Sequence, residues 1–520
     1  MKRQVITGQD AKDQILEGAE ILYQAVSSTL GPKGLNAVIE AFGEPIVTHD
    51  GVTVARSIEI ESEDRPGARV GIEMIKASSS KTNDNVGDGT TSSTILAYTL
   101  IKKGMDFIRN KKNPMVLRRE LEAASEEVLK NLSTLAEPIT TKKKAIEVAT
   151  ISAEDKEVGE IVGSMYHTLT HEGMIAIEIG DKPEIEHNIV EGYTFDRGVI
   201  SPLMIQDART QSTTFEEPPV LVLNQVVGLA DVLDMFEEIY KEGKDQIVIV
   251  AEDFKTDLIS QVIKQRGKFD IVGIKAPGFG DNRLEALNDV AKICGTRVFG
   301  PRTDKKLSEM TIDELGTCEK IVVTNKETVI TGGSDVTEHI ADVQAKAKDL
   351  KSEYEREKLE KRVAQLKAKI GVIRVGGITE MAAEERKYLV DDAVGATEAA
   401  LKEGIVPGGG TTYVHLSRQI TSDTDGAKIL KDALEAPFRV LMDNAGERPG
   451  LKLSELTEFG KGFDVMGDGE LVDLKEHGII DPVLVIKQAI TNAVSVAGSA
   501  LTTGVLIVNE KKKVKDEEED

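Results

Sequence analysis

Tryptophan is absent from this 520-residue chain, and phenylalanine and tyrosine bring the aromatic share to only 4%. Any ligand site must therefore be built mainly from aliphatic and polar side chains. Two cysteines occur, Cys294 and Cys318, far apart and without Cys-x-x-Cys spacing, which excludes a disulfide framework and a zinc ribbon. Seven histidines are few for a metalloprotein. His167 and His171 stand one helical turn apart, but no third zinc ligand lies near them. Positive charge is in deficit: 65 Lys+Arg against 89 Asp+Glu give a formal charge of −24, which argues against nucleic acid and anionic membrane surfaces as partners. No run of about 18 apolar residues occurs, and the start MKRQVITGQD has no apolar leader core. A soluble chain in a reducing, cytoplasmic compartment is the expectation. The Walker pattern and the kinase H-R-D and D-F-G pair are missing as well.

What is present is a chain with 40% hydrophobic and 30% charged residues, which excludes wholesale disorder, a fibre and a disulfide miniprotein. Its length predicts two to four domains. From Asp10 to about Leu135 the pattern is mostly helical. Ile15, Ala19, Leu22 and Val26 keep one face, and the helix is expected to stop at Gly31-Pro32. Pro45 to Ile60 alternates around Asp50-Gly51 and reads as a β-hairpin. Thr90 to Arg109 and Pro114 to Leu132 read as helices, the second with Pro114 at its first position.

Near Pro138 the character changes. Met174–Ile179 and Glu184–Val190 read as a strand pair around a Gly-Asp turn. The apolar runs Val220–Leu223, Ile247–Val250 and Ile271–Ile274 alternate with helical stretches, the signature of an α/β unit. Seven of the twelve Phe lie between Phe195 and Phe299, so this block is expected to have its own core. Ile340, Val343, Ala347, Leu350 and Tyr354 share one helical face, and Leu359, Val363, Leu366 and Ile370 share another. The phase break between them predicts two antiparallel helices rather than a coiled coil. Helix is expected again after Gly408-Gly409-Gly410, to about Val508. The charged tail KKKVKDEEED is expected to be disordered.

Two segments carry possible phosphate chemistry. Thr29-Leu30-Gly31-Pro32-Lys33-Gly34 is by itself a helix end and turn. Gly87-Asp88-Gly89-Thr90-Thr91-Ser92 precedes a helix, where unpaired N–H groups and the macrodipole favour an anion. Asp88 is a hard oxygen ligand suited to Mg²⁺. A turn and N-cap is the plain alternative. Asp50 and Asp392 are candidates to orient water or metal, although a lone Asp is usually a solvated surface residue.

The motifs TLGPKG, DGVTVARSIE, NDNVGDGTT, EGYTFDRGVISP, KAPGFGD, VDDAVGATEAALKEGIVPGGG and GIIDP follow one another in order. In this the chain resembles the group I, bacterial-type chaperonins from about residue 3 to 508, and KAPGFGD (Lys275 to Asp281) marks that group. The resemblance implies a multidomain α/β protein. Its mainly helical equatorial ATP-binding domain would be formed by both chain ends, residues 1–134 and 403–520. A small α+β intermediate domain would comprise residues 135–190 and 371–402. An α/β apical domain, residues 191–370, would be inserted in the middle. It implies an ATP-driven folding chaperone that forms seven-membered rings stacked in pairs, encloses non-native proteins and is capped by a small co-chaperonin.

By the same resemblance Thr29, Leu30, Gly31, Pro32 and Ile151 lie at the nucleotide. Gly87, Gly89, Thr90, Thr91 and Ser92 hold its phosphates, and Asp88 holds Mg²⁺, with K⁺ as a further expected ion. Gly409 and Asp481 lie at the ribose. Asp392 positions the attacking water with support from Asp50. Val199, Leu203, Met204, Leu233, Phe236, Ile259, Ile263 and Lys264 match an exposed client groove, and Gly192 and Gly371 stand at the hinge crossings. Three departures stand out: His49 where many relatives carry Lys, Ala368-Lys369 in place of a hinge Gly-Gly, and a tail without Gly-Gly-Met repeats. A holdase or scaffold with a vestigial ATPase is the rival reading, and a small-molecule kinase a distant third.

Overall fold

The computed structural model describes residues 3–40, 45–60, 65–110, 112–169, 174–180, 182–207, 212–278, 280–349 and 353–509. Their contacts fall into two units. Unit 1 is drawn from residues 1–171, 179–185 and 375–520, and unit 2 from 172–178 and 186–374. The charged tail, His171, Asp181, Phe279 and Leu350 lie outside the described residues.

Unit 1 begins with strand β1 (Arg3–Thr7) and helix α1 (Gly8–Ser27). The predicted face of α1 is confirmed, with Ile15, Ala19, Leu22 and Val26 fully buried, but the helix ends at Ser27 rather than at Gly31-Pro32. Strands β2 (Ala37–Ile39) and β3 (Ile46–Thr48) then pair with each other. The hairpin expected around Asp50-Gly51 is therefore corrected: Asp50 instead caps helix α2 (Gly51–Ser57). An Asp-Gly step serves equally as a tight turn or a helix start, and here the carboxylate takes up the free N–H groups of a helix. Helices α3 (Gly67–Val86), α4 (Thr90–Arg109), α5 (Pro114–Leu135), α6 (Lys142–Ala153) and α7 (Lys156–Leu169) follow. Pro114 occupies the first turn of α5, behind an Asn113 cap that accepts from Met115 N–H at 2.9 Å.

Unit 2 carries β4 (Met174–Ile179), β5 (Glu186–Phe195), β6 (Ser212–Glu216), β7 (Val220–Val227) and α8 (Leu229–Lys241). It continues through β8 (Gln246–Phe254), α9 (Thr256–Gln265), β9 (Asp270–Lys275), α10 (Asp281–Ile293) and β10 (Val298–Phe299). The last stretch holds β11 (Lys320–Thr324), β12 (Thr328–Thr331), α11 (Thr337–Asp349), α12 (Glu353–Leu366) and β13 (Lys369–Val375). As the alternation predicted, β7, β8 and β9 are parallel, in a sheet of order β10-β7-β8-β9. Their continuous apolar runs are buried on both faces, as helix-covered parallel strands require.

The second sheet has the order β4-β13-β5-β12-β11-β6. Here β4 and β5 are not partners, contrary to the expected pair, because β13 lies between them. That strand also contains Ile370, which the helical reading had assigned to α12. Two like-spaced apolar residues at a helix end cannot distinguish another turn from a strand start.

The chain returns to unit 1 with α13 (Glu380–Glu403), β14 (Ile405–Pro407), α14 (Thr411–Gln419), α15 (Asp425–Leu434), α16 (Ala436–Asn444) and α17 (Pro449–Glu455). After β15 (Lys461–Phe463), β16 (Leu471–Asp473) and β17 (Ile480–Pro482) come α18 (Val483–Thr502) and β18 (Val505–Asn509). Helix was expected through Val508, but β18 pairs antiparallel with β1, so the two chain ends meet. Among the described residues α18 alone is long and apolar enough to cross a membrane, and 61% of its apolar window is buried in the protein, packed on α3, α4 and α5. A buried polar chain fixes this packing. Ser78 and Ser93 hydroxyls lie 2.7 Å apart, Thr82 Oγ1 donates to Ser93 Oγ at 3.1 Å, and Asn492 Nδ2 donates to Thr82 Oγ1 at 2.9 Å. Each buried polar group left unpaired would cost about 1–3 kcal/mol.

Candidate functional site

All the residues expected at the nucleotide lie in unit 1. Helix α3 stops at Gly87 (φ 70°), whose N–H donates to Asn83 C=O at 2.7 Å, and α4 starts behind Gly89 (φ 78°). Both backbone angles are left-handed, so the Gly-x-Gly spacing is a steric requirement of the turn. Asp88 occupies its apex, ahead of the first N–H groups of α4, which have no partner within the helix.

Asp50 is placed beside this turn by Gly51, where a Cβ would come within 2.2 Å of Thr91 Oγ1. The Asp50 carboxylate accepts from Val52 N–H (3.0 Å), Thr53 N–H (2.8 Å) and Thr53 Oγ1 (2.6 Å). From the other side α13 brings Asp392. A Cβ on Gly395, one turn later, would meet Gly87 Cα at 2.8 Å, so helix and turn touch backbone to backbone. Ser152, at the end of α6, joins them: its hydroxyl lies 3.1 Å from Asp88 Oδ2 and 2.9 Å from Asp392 C=O.

Asp50, Asp88 and Asp392 are all half-buried. Burial first, and then the charges of Asp50, Asp88, Asp391 and Glu154, push the Asp392 carboxyl well above the usual range. Asp88 is also raised, by burial and by Asp50, against the opposing bonds from Gly89 N–H and Ser152. Such a concentration of acid groups favours a bound positive charge. Among the described residues no three His, Cys, Asp or Glu side chains converge as a metal cage. That donor set fits Mg²⁺, which is ordinarily held by one or two carboxylates together with substrate phosphates and water.

The remaining expected contacts belong to the same unit. Thr29 is buried, its hydroxyl bonded to Val26 C=O at 2.9 Å, and Gly31 (φ 80°) lies against Leu441, with Leu30 and Pro32 on either side. Asn444 Nδ2 ties this loop down through Ser27 C=O (2.9 Å) and Leu30 C=O (3.0 Å). Gly409 (φ 61°) follows β14, which pairs with β17 so that Val406 stands opposite Asp481. Burial and the Asp88 charge push Asp481 up to about 7. Tyr413, buried behind it, is raised by burial, Asp481 and Asp88 and bonds Ser92. Ile151 is 40% exposed. His49 Nε2 is buried without a hydrogen-bond partner, 3.8 Å from Glu154 Oε2. Ser152, Tyr413 and Asn444 were not found by sequence reasoning. Only Ser152, next to Ile151, carried a hint.

In unit 2, Leu203 (60%) and Leu233 (42%) are exposed and Lys264 is exposed too, while Val199, Ile259 and Ile263 are half-buried. Exposure was also expected of Met204 and Phe236, and the structure corrects it: both are core residues, 5% and 7% exposed. The inward face of α8 is Val232, Met235, Phe236 and Ile239, and the Phe236 ring packs 5.5 Å from that of Phe269. Gly192 and Gly371 lie within paired strands, opposite Thr331 and Ile189. A Cβ on Gly192 would come within 2.8 Å of Ile330 C=O. His167 is exposed on α7.

The fold is shared with the chaperonin gp146 from the bacteriophage EL 2 (Pseudomonas aeruginosa), crystallised in the presence of ATP-BeFx. Its crystal form II matches with a TM-score of 0.66 and crystal form I with 0.64, each at 20% identity over 98% of this chain and 99% of the other. The profile of the TCP-1/cpn60 chaperonin family matches residues 22–511. The chain belongs to the TCP-1/cpn60 chaperonin family.

Proposed function

We propose that the chain is a subunit of a group I, bacterial-type chaperonin: a ring-forming ATPase that binds non-native proteins, encloses them under a small co-chaperonin and releases them as ATP is hydrolysed. The observation that carries the ATPase reading is the meeting of Asp392 with Asp88 through the Gly87–Gly395 contact and Ser152. In this reading the N-terminal N–H groups of α4 and the hydroxyls of Thr90, Thr91 and Ser92 receive the phosphates. Thr29 to Pro32, Ile151, Gly409 and Asp481 hold the nucleoside. Asp88 would hold Mg²⁺, which when bound neutralises phosphate charge. Asp392 accepts a hydrogen bond from the attacking water; burial first, and then its acid neighbours, hold its carboxyl above the usual range. Asp50, clamped by its three bonds, supports it. K⁺ is proposed from the resemblance alone.

The three-domain division, with boundaries near residues 134, 190, 370 and 402 and hinges at Gly192 and Gly371, belongs to the same proposal. So do a cytoplasmic location and the absence of nucleic-acid or membrane partners. Self-association is supported by two small sheets, β1–β18 and β2–β3, that expose Val5 (59%), Ile507 (63%) and Val38 (69%). Isolated two-stranded sheets with apolar faces are poor end states in water and gain by adding strands. Leu203 and Leu233 support client capture. The test is steady-state, Mg²⁺-dependent ATPase and refolding of a denatured model protein by purified assemblies, with negative-stain images to count the rings and their symmetry. Assemblies without ATPase activity would sink the reading.

A further inference from the structure

We propose that Ser152 is a positioning residue for hydrolysis, holding the helix that carries Asp392 against the phosphate turn by one hydroxyl proton shared between two acceptors. The inference rests on the ATPase reading above and concerns how that site is regulated. Ser152 Oγ lies 3.1 Å from Asp88 Oδ2 and 2.9 Å from the backbone carbonyl of Asp392. A serine hydroxyl has a single proton, and a carboxylate and a carbonyl are both acceptors, so one bond is made at the expense of the other.

The hydroxyl itself is well anchored. Helix α6 ends in a left-handed Glu154 (φ 52°), and the next helix starts at once, Asp155 Oδ1 accepting from Val158 N–H at 3.0 Å. Val148 of α6 shares a core cluster with Ala396 and Ala400 of α13. Ser152 therefore stands on a fixed support between two parts of the site, the turn through Asp88 and α13 through Asp392. The Asp392 carbonyl lies inside a helix and is already used along it, so a second donor tightens that turn of α13 without breaking its ladder. Once the Asp88 oxygens are occupied by a cation arriving with nucleotide, the Ser152 proton is left to the Asp392 carbonyl alone. Filling the site thereby strengthens the grip on the helix that carries the water-positioning carboxylate.

The experiment compares the full-length wild type with Ser152→Ala and Ser152→Thr, by amide hydrogen exchange over residues 389–397 in nucleotide-free protein and by kcat and the ATP dissociation constant. Ser152→Ala should exchange about tenfold faster there and lose about tenfold in kcat, the worth of one hydrogen bond, with ATP affinity changed less than about threefold. Ser152→Thr, which keeps the hydroxyl, should restore both. Unchanged exchange and kcat in Ser152→Ala overturn the proposal, and so does a threonine variant that behaves like alanine. A wild type without ATPase activity whose α13 exchange still responds to Ser152→Ala defeats the ATPase reading but keeps the latch. An active wild type with unresponsive exchange does the reverse.

Discussion

Gly87 and Gly395 touch through their backbones: a Cβ built on either would lie 2.9 or 2.8 Å from the other's Cα. The Gly87–Gly89 turn and the helix bearing Asp392 thus approach as closely as polypeptide allows, and only because neither residue has a side chain. Gly395 is helical, so alanine there is favoured by helix propensity by about 1 kcal/mol. Gly395→Ala should nevertheless push α13 off the turn and lower kcat by about 10²-fold, since displacements near 1 Å carry that penalty. Wild-type kcat in this variant would show that the contact is incidental.

Removing the two carboxylates should have separable effects. Asp392→Ala should leave ATP binding nearly intact and slow hydrolysis by about two to three orders of magnitude. Asp88→Ala should weaken Mg-ATP binding itself. Binding by calorimetry and single-turnover hydrolysis distinguish the two, and hydrolysis at the normal rate by Asp392→Ala would remove that residue from the chemistry.

Asp481 carries a pH signature. Its carboxyl is raised from an ordinary 3.8 to about 7, so the folded chain holds this proton more tightly than the unfolded one. Its contribution to stability is complete below about pH 4 and is lost as pH rises through 7. Asp481→Asn in nucleotide-free protein should melt with wild type at pH 4 and about 1–3 °C above it at pH 8. Parallel melting curves at both pH values would contradict the burial and the Asp88 repulsion that raise this group.

Neighbouring positions in unit 2 should divide by burial. Phe236→Ala empties a core site and should cost about 3–5 kcal/mol in chemical denaturation. Leu203→Glu, at a 60% exposed residue, should leave stability unchanged but abolish capture of a denatured model protein. Ile263→Ser, half-buried, should weaken capture at a smaller cost in stability. Undiminished capture by Leu203→Glu would place the client surface elsewhere.

The sequence by itself determined what short-range chemistry controls. The face of α1 from Ile15 to Val26, the Pro114 start of α5, the helix start behind Gly89, and the three parallel strands from Val220 to Ile274 all follow from periodicity, caps and glycine geometry within a few residues. The ordered motifs were enough to name a family. What only the tertiary structure decided depends on partners distant along the chain. Asp50-Gly51 suits a hairpin or a helix cap, and Gly51 packing on Thr91 accompanies the cap. The slot beside β5 is taken by β13, from the far side of the inserted block. Met204 and Phe236 share the spacing of their exposed neighbours, and only the position of the sheet beneath them turns them inward. Cys294 and Cys318, read as remote, are adjacent: Thr317 N–H donates to Cys294 C=O at 2.8 Å, and the Cys318 thiol against that of Cys294, with burial, pushes the latter well up. Ser152 has no motif of its own, because its role comes from two acceptors, one 64 and the other 240 residues away. Local patterns carry the energetics of one turn or one strand. Which surfaces then meet is settled by the burial of the whole core.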